Sequence, residues 1–460
     1  MASVKITQLP NVLGNQINPA VDILPIVRVG ADSTDKITVE ELGTLFGGGL
    51  EGTQYVYVAA NGTDVENAAE LQAAYVTAQG MSSSITNRIT IIAAPGNYNF
   101  STANFVMNKQ YIDLVSLDGN KSIVFNGSNT IEITENDVFV KGVDVGTLNF
   151  TIANSLNFLR VENCTGGEGS FAGYGGIASG TFTNCTGGKN SFGGDGGTAS
   201  GTFTNCTGGD NSFGGAGTAS GTFTSCTGGN NSFGGDGGTA SGVFTNCTGL
   251  YASFSGDGGT ANGVFTNCTG VDNSFGGNGG IASGVFTNCT GRDYSFGGAG
   301  IANSTFTNCT GGDYSFGGDA GTASGVFTNC TGGRGVFGGS GGTANGTFNS
   351  CTGGDGSFGG GGTASGVFTN CTGVDYSFGI TSLGTFTNCT AGINSFGGSG
   401  TSSGIFTSCV GGEYSFGGDL MGTLSGKLFY CRITLGTFAT VSGSGRTYYC
   451  VDGNGNPNNQ

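Results

Sequence analysis

Residues 181–201 read Thr181-Phe182-Thr183-Asn184-Cys185-Thr186-Gly187-Gly188-Lys189-Asn190-Ser191-Phe192-Gly193-Gly194-Asp195-Gly196-Gly197-Thr198-Ala199-Ser200-Gly201, and this string returns with small changes to about residue 431. The cysteines mark its period. Cys164, Cys185, Cys206, Cys226, Cys247 and Cys268 open a series that continues to Cys431 in steps of 18 to 22 residues. Two phenylalanine series keep the same step, from Phe182 to Phe406 and from Phe192 to Phe416, as does an alanine series from Ala199 to Ala364. A unit this short cannot bury its apolar side alone; stacked on its neighbours it can. Helical repeats need longer apolar stretches at 3.6 spacing, whereas these units offer short extended pieces between glycines. The predicted class is therefore all-β, a parallel solenoid with coils of about 21 residues.

Stacking coils places like residues about 4.8 Å apart, so that Phe lies on Phe, Cys on Cys and Ala on Ala in the interior. The glycines, 97 in all, suit the corners, since they take positive φ at little cost. The asparagine before each cysteine, as at Asn184, Asn205, Asn246 and Asn267, suits a ladder of side-chain amides. Ser225, Ser350 and Ser408 keep a small polar group at that position.

Composition narrows the function classes. The chain has 460 residues, a formal charge of -16 and no histidine, which argues against a nucleic-acid partner and against anionic membranes. It has no apolar run of membrane-spanning length and no basic-then-apolar start, so the expectation is a soluble protein made in a cytoplasm. Fifteen cysteines at constant phase, one per coil, point to buried thiols, because parallel side chains in a ladder are poorly set for disulfide geometry. With no Cys-x-x-Cys pair and no histidine, neither a zinc site nor any other metal or cofactor is expected.

Residues 1–50 form a separate small module. Val4-Lys5-Ile6-Thr7-Gln8-Leu9-Pro10 and Asp22-Ile23-Leu24-Pro25-Ile26-Val27-Arg28-Val29 read as strands. Thr34–Thr38 leads into a helix over 39–46, with Thr38 and Glu41 as a capping box. Gly47, Gly48 and Gly49 close the module as a hinge. The order Lys-Ile-x-x-Leu-Pro, Asp-Ile-Leu-Pro-Ile-Val, Lys-Ile-Thr-x-x-Glu-Leu resembles the N-terminal virion-attachment segment of bacteriophage tail fibres and other virion appendages. That resemblance implies anchoring to other virion proteins through residues 1–50.

Residues 51–163 carry a second resemblance. Tyr55–Val58 reads as a strand, Thr63 with Glu66 as a capping box, and the helix that follows turns Leu71, Ala74, Tyr75 and Ala78 inward. Ile89-Thr90-Ile91-Ile92-Ala93-Ala94-Pro95-Gly96-Asn97-Tyr98 and later strands at coil spacing come next. This series is similar to the entrance of pectate-lyase-like right-handed β-helices, in which a helix covers the open first coil. The resemblance implies right-handed winding, with residues 89–163 as irregular early coils and 164–431 as their regular continuation; the pattern changes near the end, and 432–460 read as the C-terminal cap and tail that close a solenoid's edge.

Catalysis would need two carboxyl groups about 5 to 9.5 Å apart for glycoside cleavage. A ladder supplies such spacings by construction. Asp272, Asp293 and Asp313 share one phase, as do Asp355 and Asp375, while Asp195, Asp236, Asp257, Asp319 and Asp419 share another. Lys189, Asn230 and Arg334 occupy the same phases, so no acid pair stands out and no catalytic residue is assigned. Asp293-Tyr294, Asp313-Tyr314, Asp375-Tyr376 and Glu413-Tyr414 read either as a sugar-binding strip or as corner fillers two residues before the inward Phe. Threonine rows such as Thr183, Thr204 and Thr224 are similar to the flat faces of ice-binding solenoids, yet a residue beside an inward Phe must point outward on any strand. The expected protein is a structural phage fibre or spike: a homotrimer in the virion, assembled in the host cytoplasm, N-terminally anchored and adhering to a host-surface glycan. The alternatives are a polysaccharide depolymerase tailspike and, after it, a non-viral adhesin or ice-binding solenoid.

Overall fold

A computed structural model describes the backbone of residues 4–5, 23–28 and 34–38, together with residues 54–101, 103–418, 422–436, 438 and 445–458. Strands β1 (Val4–Lys5), β2 (Ile23–Arg28) and β3 (Thr34–Thr38) form an antiparallel sheet in the order β1-β2-β3. The helix expected over 39–46, its Thr38–Glu41 capping box and the Gly47–Gly49 hinge lie outside the described residues. The chain divides into two compact units, Met1–Phe171 with Ser179–Thr186, and Ala172–Ala178 with Gly187–Gln460. The fold is the expected right-handed parallel β-solenoid.

In the first unit, helix α1 (Asp64–Gly80) starts at the expected capping box: the Thr63 N–H donates to Glu66 Oε2 at 2.7 Å, and the Glu66 N–H donates to Thr63 Oγ1 at 3.3 Å. Its buried face is Ala68, Leu71, Ala74, Tyr75 and Ala78. That face packs on the strands Gln54–Val58, Ile89–Ala93 and Gly96–Asn99. Each coil contributes to three parallel sheets. One runs through Ile89–Ala93, Ile112–Ser116, Phe139–Lys141, Arg160–Glu162 and Thr181–Thr183; the others begin at Gly96–Asn99 and at Phe105–Met107. Arg88 ties three coils together, donating to both carboxylate oxygens of buried Asp113 at 2.6 and 2.7 Å and to Asp137 at 2.7 Å. Fully buried charge is retained where it is paired and hydrogen-bonded in this way.

The second unit repeats one coil. Its alanine strands form a 13-stranded parallel sheet from Ile177–Ala178 to Thr423–Leu424. Phenylalanine strands such as Thr202–Thr204 and Thr222–Thr224 pair in register, Phe203 beside Phe223. Single bridges between threonines, as at Thr227 and Thr248, make the third side. Inside, the two phenylalanine series form separate stacks: Phe203 on Phe223 at 4.9 Å and Phe213 on Phe233 at 4.8 Å, with planes 4° and 2° apart. The stacks meet edge to face, Phe203 against Phe213 at 5.5 Å and 84°. Fully burying each ring stabilises by about 1.5–3 kcal/mol, and the ring pairs add to that.

All 15 cysteines are buried thiols, as the constant phase predicts. Cys226 Sγ lies 3.4 Å from the Phe203 carbonyl of the preceding coil and 3.5 Å from that of Thr224. Burial pushes the Cys164 thiol up to about 12. A second buried row was not read from the sequence. Except at Phe337, which follows buried Val336, the residue before each Phe of the second stack is an inward serine, and hydroxyls of this row donate to carbonyls one coil back, as from Ser253 to Gly229 at 3.1 Å. The turn there is left-handed at two nearby positions, for example Asn231 at φ 51° and Phe233 at φ 53°.

Candidate functional site

Strand alternation sets the outer surface. Residues flanking each inward Phe point out, so Val243, Val264 and Val285 line one exposed column and Thr245, Thr266 and Thr287 the next. Beyond them stands the corner row, where Asn246, Asn267, Asn288 and Asn308 hold φ of 53–54°. Their amides form the expected ladder, Nδ2 of Asn267, Asn288 and Asn308 each donating to Oδ1 of the asparagine one coil back at 3.0–3.1 Å. Asparagine suits this corner because its short side chain tolerates the left-handed region and still reaches its neighbour. Ser225, Ser350 and Ser408 take the same φ, 53–55°.

The acid rows have a role the sequence reading missed. Asp293 Oδ1 accepts the N–H of Asp313 at 2.8 Å, and Asp313 Oδ1 accepts the N–H of Arg334 at 2.8 Å. Asp375 does the same for Ile393 at 2.7 Å, and Asp236, Asp257 and Asp319 hold Asp257, Asn278 and Ser340 at 2.9–3.1 Å. Each carboxylate thus clamps the backbone of the next coil. Glycine precedes the clamped residue because a Cβ on Gly312 would stand 2.2 Å from Asp293 Oδ1. The paired signal, Gly before the clamped turn and Asp one coil earlier, is present in the sequence and becomes readable once the stacking register is known.

Of the proposed sugar-binding residues, two pairs come together. Tyr294 and Tyr314 stack at 5.1 Å with planes 26° apart, both half-buried, beside Asp293 and Asp313. The Arg334 guanidinium lies 5.2 Å from the Tyr314 centroid and donates to its hydroxyl. Asp375 and Tyr376 stand apart, since the intervening coils carry Gly335 and Gly356 at the tyrosine position. Tyr376 is 57% exposed. With one oxygen of each aspartate occupied by backbone, the strip offers stacked rings and one guanidinium more than it offers acids. One acid pair differs: burial raises the Asp257 carboxyl, the Asn278 N–H opposes that, and the charge of Asp236 adds to the rise.

Among the described residues no group of three or more His, Cys, Asp or Glu is placed to hold a metal ion, and no helix is long and apolar enough to cross a membrane. Comparison with protein-family models, with curated proteins and with solved structures finds no match to any. The strands Lys427–Phe429 and Arg446–Tyr448 replace the threonine columns with bases and rings.

Proposed function

We propose that the protein is a structural virion component, a phage fibre or spike anchored through residues 1–50 that presents its coils to the host surface as a homotrimer. The observation that carries this reading is the repeating exterior. Asp236, Asp257, Asp293, Asp313, Asp319 and Asp375 serve as clamps between coils, and the outward columns change little from coil to coil until the last two. Such a body is stiff, and backbone paired from coil to coil resists local opening and proteolysis. The sequence resemblance of residues 1–50 supplies the virion end of the reading. Cryo-electron microscopy of the intact particle, with the mass of the purified protein in solution, tests it. The expected outcome is residues 1–50 seated in a tail or capsid socket and a trimer mass; a monomer with a free N-terminal module overturns it.

A glycan-cleaving activity is the second reading, and the Asp236–Asp257 pair is the observation that favours it, since a raised carboxyl beside a second acid is the arrangement a general acid needs. Release of reducing ends from host polysaccharide that disappears in Asp257→Asn would establish it. Unchanged polysaccharide would leave the clamp as the only role of this pair.

A further inference from the structure

The last two coils of the phenylalanine sheet depart from the repeat at nearly every outward position. In earlier coils those positions read Thr385, Thr387, Asn388 and Thr390, then Ile405, Thr407, Ser408 and Val410. The next coil reads Lys427, Phe429, Tyr430 and Arg432, and the one after it Arg446, Tyr448, Tyr449 and Val451. Arg292 and Arg334 are the only bases between Asn190 and Gly426, and no Asp or Glu occurs from Leu420 to Val451. A chain of net charge -16 thus sets Lys427 and Arg446 side by side on the phenylalanine sheet and Arg432 on the adjoining side, across the Tyr430 corner.

The fold does not ask for any of this. Lys427 lies directly opposite Arg446, and like charges at opposed positions destabilise a sheet. Tyr430 and Tyr449 take φ of 54° and 55° at the corner that other coils fill with Asn or Ser. A bulky residue there is strained and gives up the amide ladder. The rings pair across the coils, Phe429 with Tyr448 at 5.0 Å and Tyr430 with Tyr449 at 5.3 Å, planes 5° and 7° apart. One coil back stand Thr407 and Ser408, too short to cover the ring faces. Tyr430 is 62% and Tyr449 69% exposed.

We propose that this face binds an acidic polysaccharide whose pyranose rings carry carboxylates. The sugar C–H faces continue the two ring stacks, and the carboxylates meet Lys427 and Arg446 on one flank and Arg432 on the other. Charge complementarity selects this occupant: the bases are few, so a sparsely charged sugar chain satisfies them. Nucleic acid, with a phosphate every few ångströms, is repelled by the acidic remainder of the chain. The proposal rests on the adhesive half of the function proposed above and is independent of the virion half.

The test is calorimetric titration of the full chain with a galacturonate hexamer and a sialic acid hexamer, with maltohexaose as the neutral control. Variants restore the repeat: Tyr430→Ser with Tyr449→Asn, and Lys427→Thr with Arg446→Thr, each of which the same positions already accept in other coils. The expected result is binding of an acidic hexamer, weakened by added salt, with little for maltohexaose and at least a tenfold loss in each variant whose circular dichroism matches the parent. The proposal is overturned by an acidic hexamer that binds the variants as well as the parent, by no binding at all, or by tighter binding of single-stranded DNA. It is overturned equally by variants that change the mass in solution, which would make the face a contact between copies. A particle lacking an N-terminal socket would remove the virion assignment and leave this titration unaffected.

Discussion

Asparagine before cysteine does two things at once: it accepts a left-handed backbone and extends an amide ladder to both neighbours. Asn288 shows both, with φ of 53° and bonds to Asn267 and from Asn308. Replacing Asn288 by Ala removes two hydrogen bonds and leaves a β-carbon in the left-handed region, a loss of about 1–3 kcal/mol. Asn288→Ser should cost less than half of that, since Ser225, Ser350 and Ser408 hold the same corner. Chemical-denaturation midpoints of the two variants check the order; an equal loss in both would remove the ladder from the explanation. The asparagine row was legible in the sequence. The aspartate clamp was not, because its partner is a backbone N–H, which Asp313, Arg334 and Ile393 supply alike, so no residue type marks the clamped position.

The stacked rows are the elements of this molecule, and each answers to its neighbours above and below. Phe275 touches Phe254 and Phe296 in its own stack at 4.8 Å and Phe265 edge-on at 5.6 Å. Phe275→Ala opens a cavity worth about 3–5 kcal/mol. Because coils couple mainly to their neighbours, the expected result is a split melting transition and new protease cleavage close to residue 275, with distant coils protected. A single shifted transition would mean coupling longer than one coil. The cysteine row predicts a pH effect. Cys164 keeps its proton up to about 12 in the folded chain, against an ordinary 9.0 once unfolded. Between those values the folded state holds more protons than the unfolded one, so this stabilisation is complete below about pH 9 and is lost as pH rises through about 12. Denaturation midpoints should therefore fall across that window, with native thiols inert to iodoacetamide and all 15 alkylated after unfolding. Thiols that alkylate in the native state would sink this account.

For the second unit as a whole, identical coils imply interchangeable coils. Deleting residues 264–284 joins Gly263 to Val285 and keeps every column in phase: Phe244 would then stack on Phe286, and Asn246 on Asn288. That deletion should fold, with a circular dichroism spectrum per residue unchanged and a melting midpoint within a few degrees of the parent. Deleting residues 264–274 instead puts Phe, Cys and Ser out of register and should abolish cooperative melting. Equal behaviour of the two deletions would mean that the columns do not carry the stability.

The period, the parallel strands, the inward Phe, Cys and Ala columns and the asparagine ladder all follow from the chain alone, because a repeat fixes which residues become neighbours as soon as coils stack. The capping box of α1 follows for the same kind of reason, since its partners are three residues apart. Other features depend on bonds from side chains to backbone groups, which every residue type carries, and on backbone angles that composition does not report. These include the left-handed turn at each Phe of the second stack, the buried serine row and the aspartate clamps. They also decided the candidate site. Asp293, Tyr294, Asp313 and Tyr314 came together as the spacing implied, Asp375 and Tyr376 stood apart, and an exposed group of rings and bases lay where the repeat breaks down, in the coils around Tyr430 and Tyr449. A break in a pattern is visible in sequence; that its residues lie side by side around one corner of neighbouring coils is a property of the stacked coils.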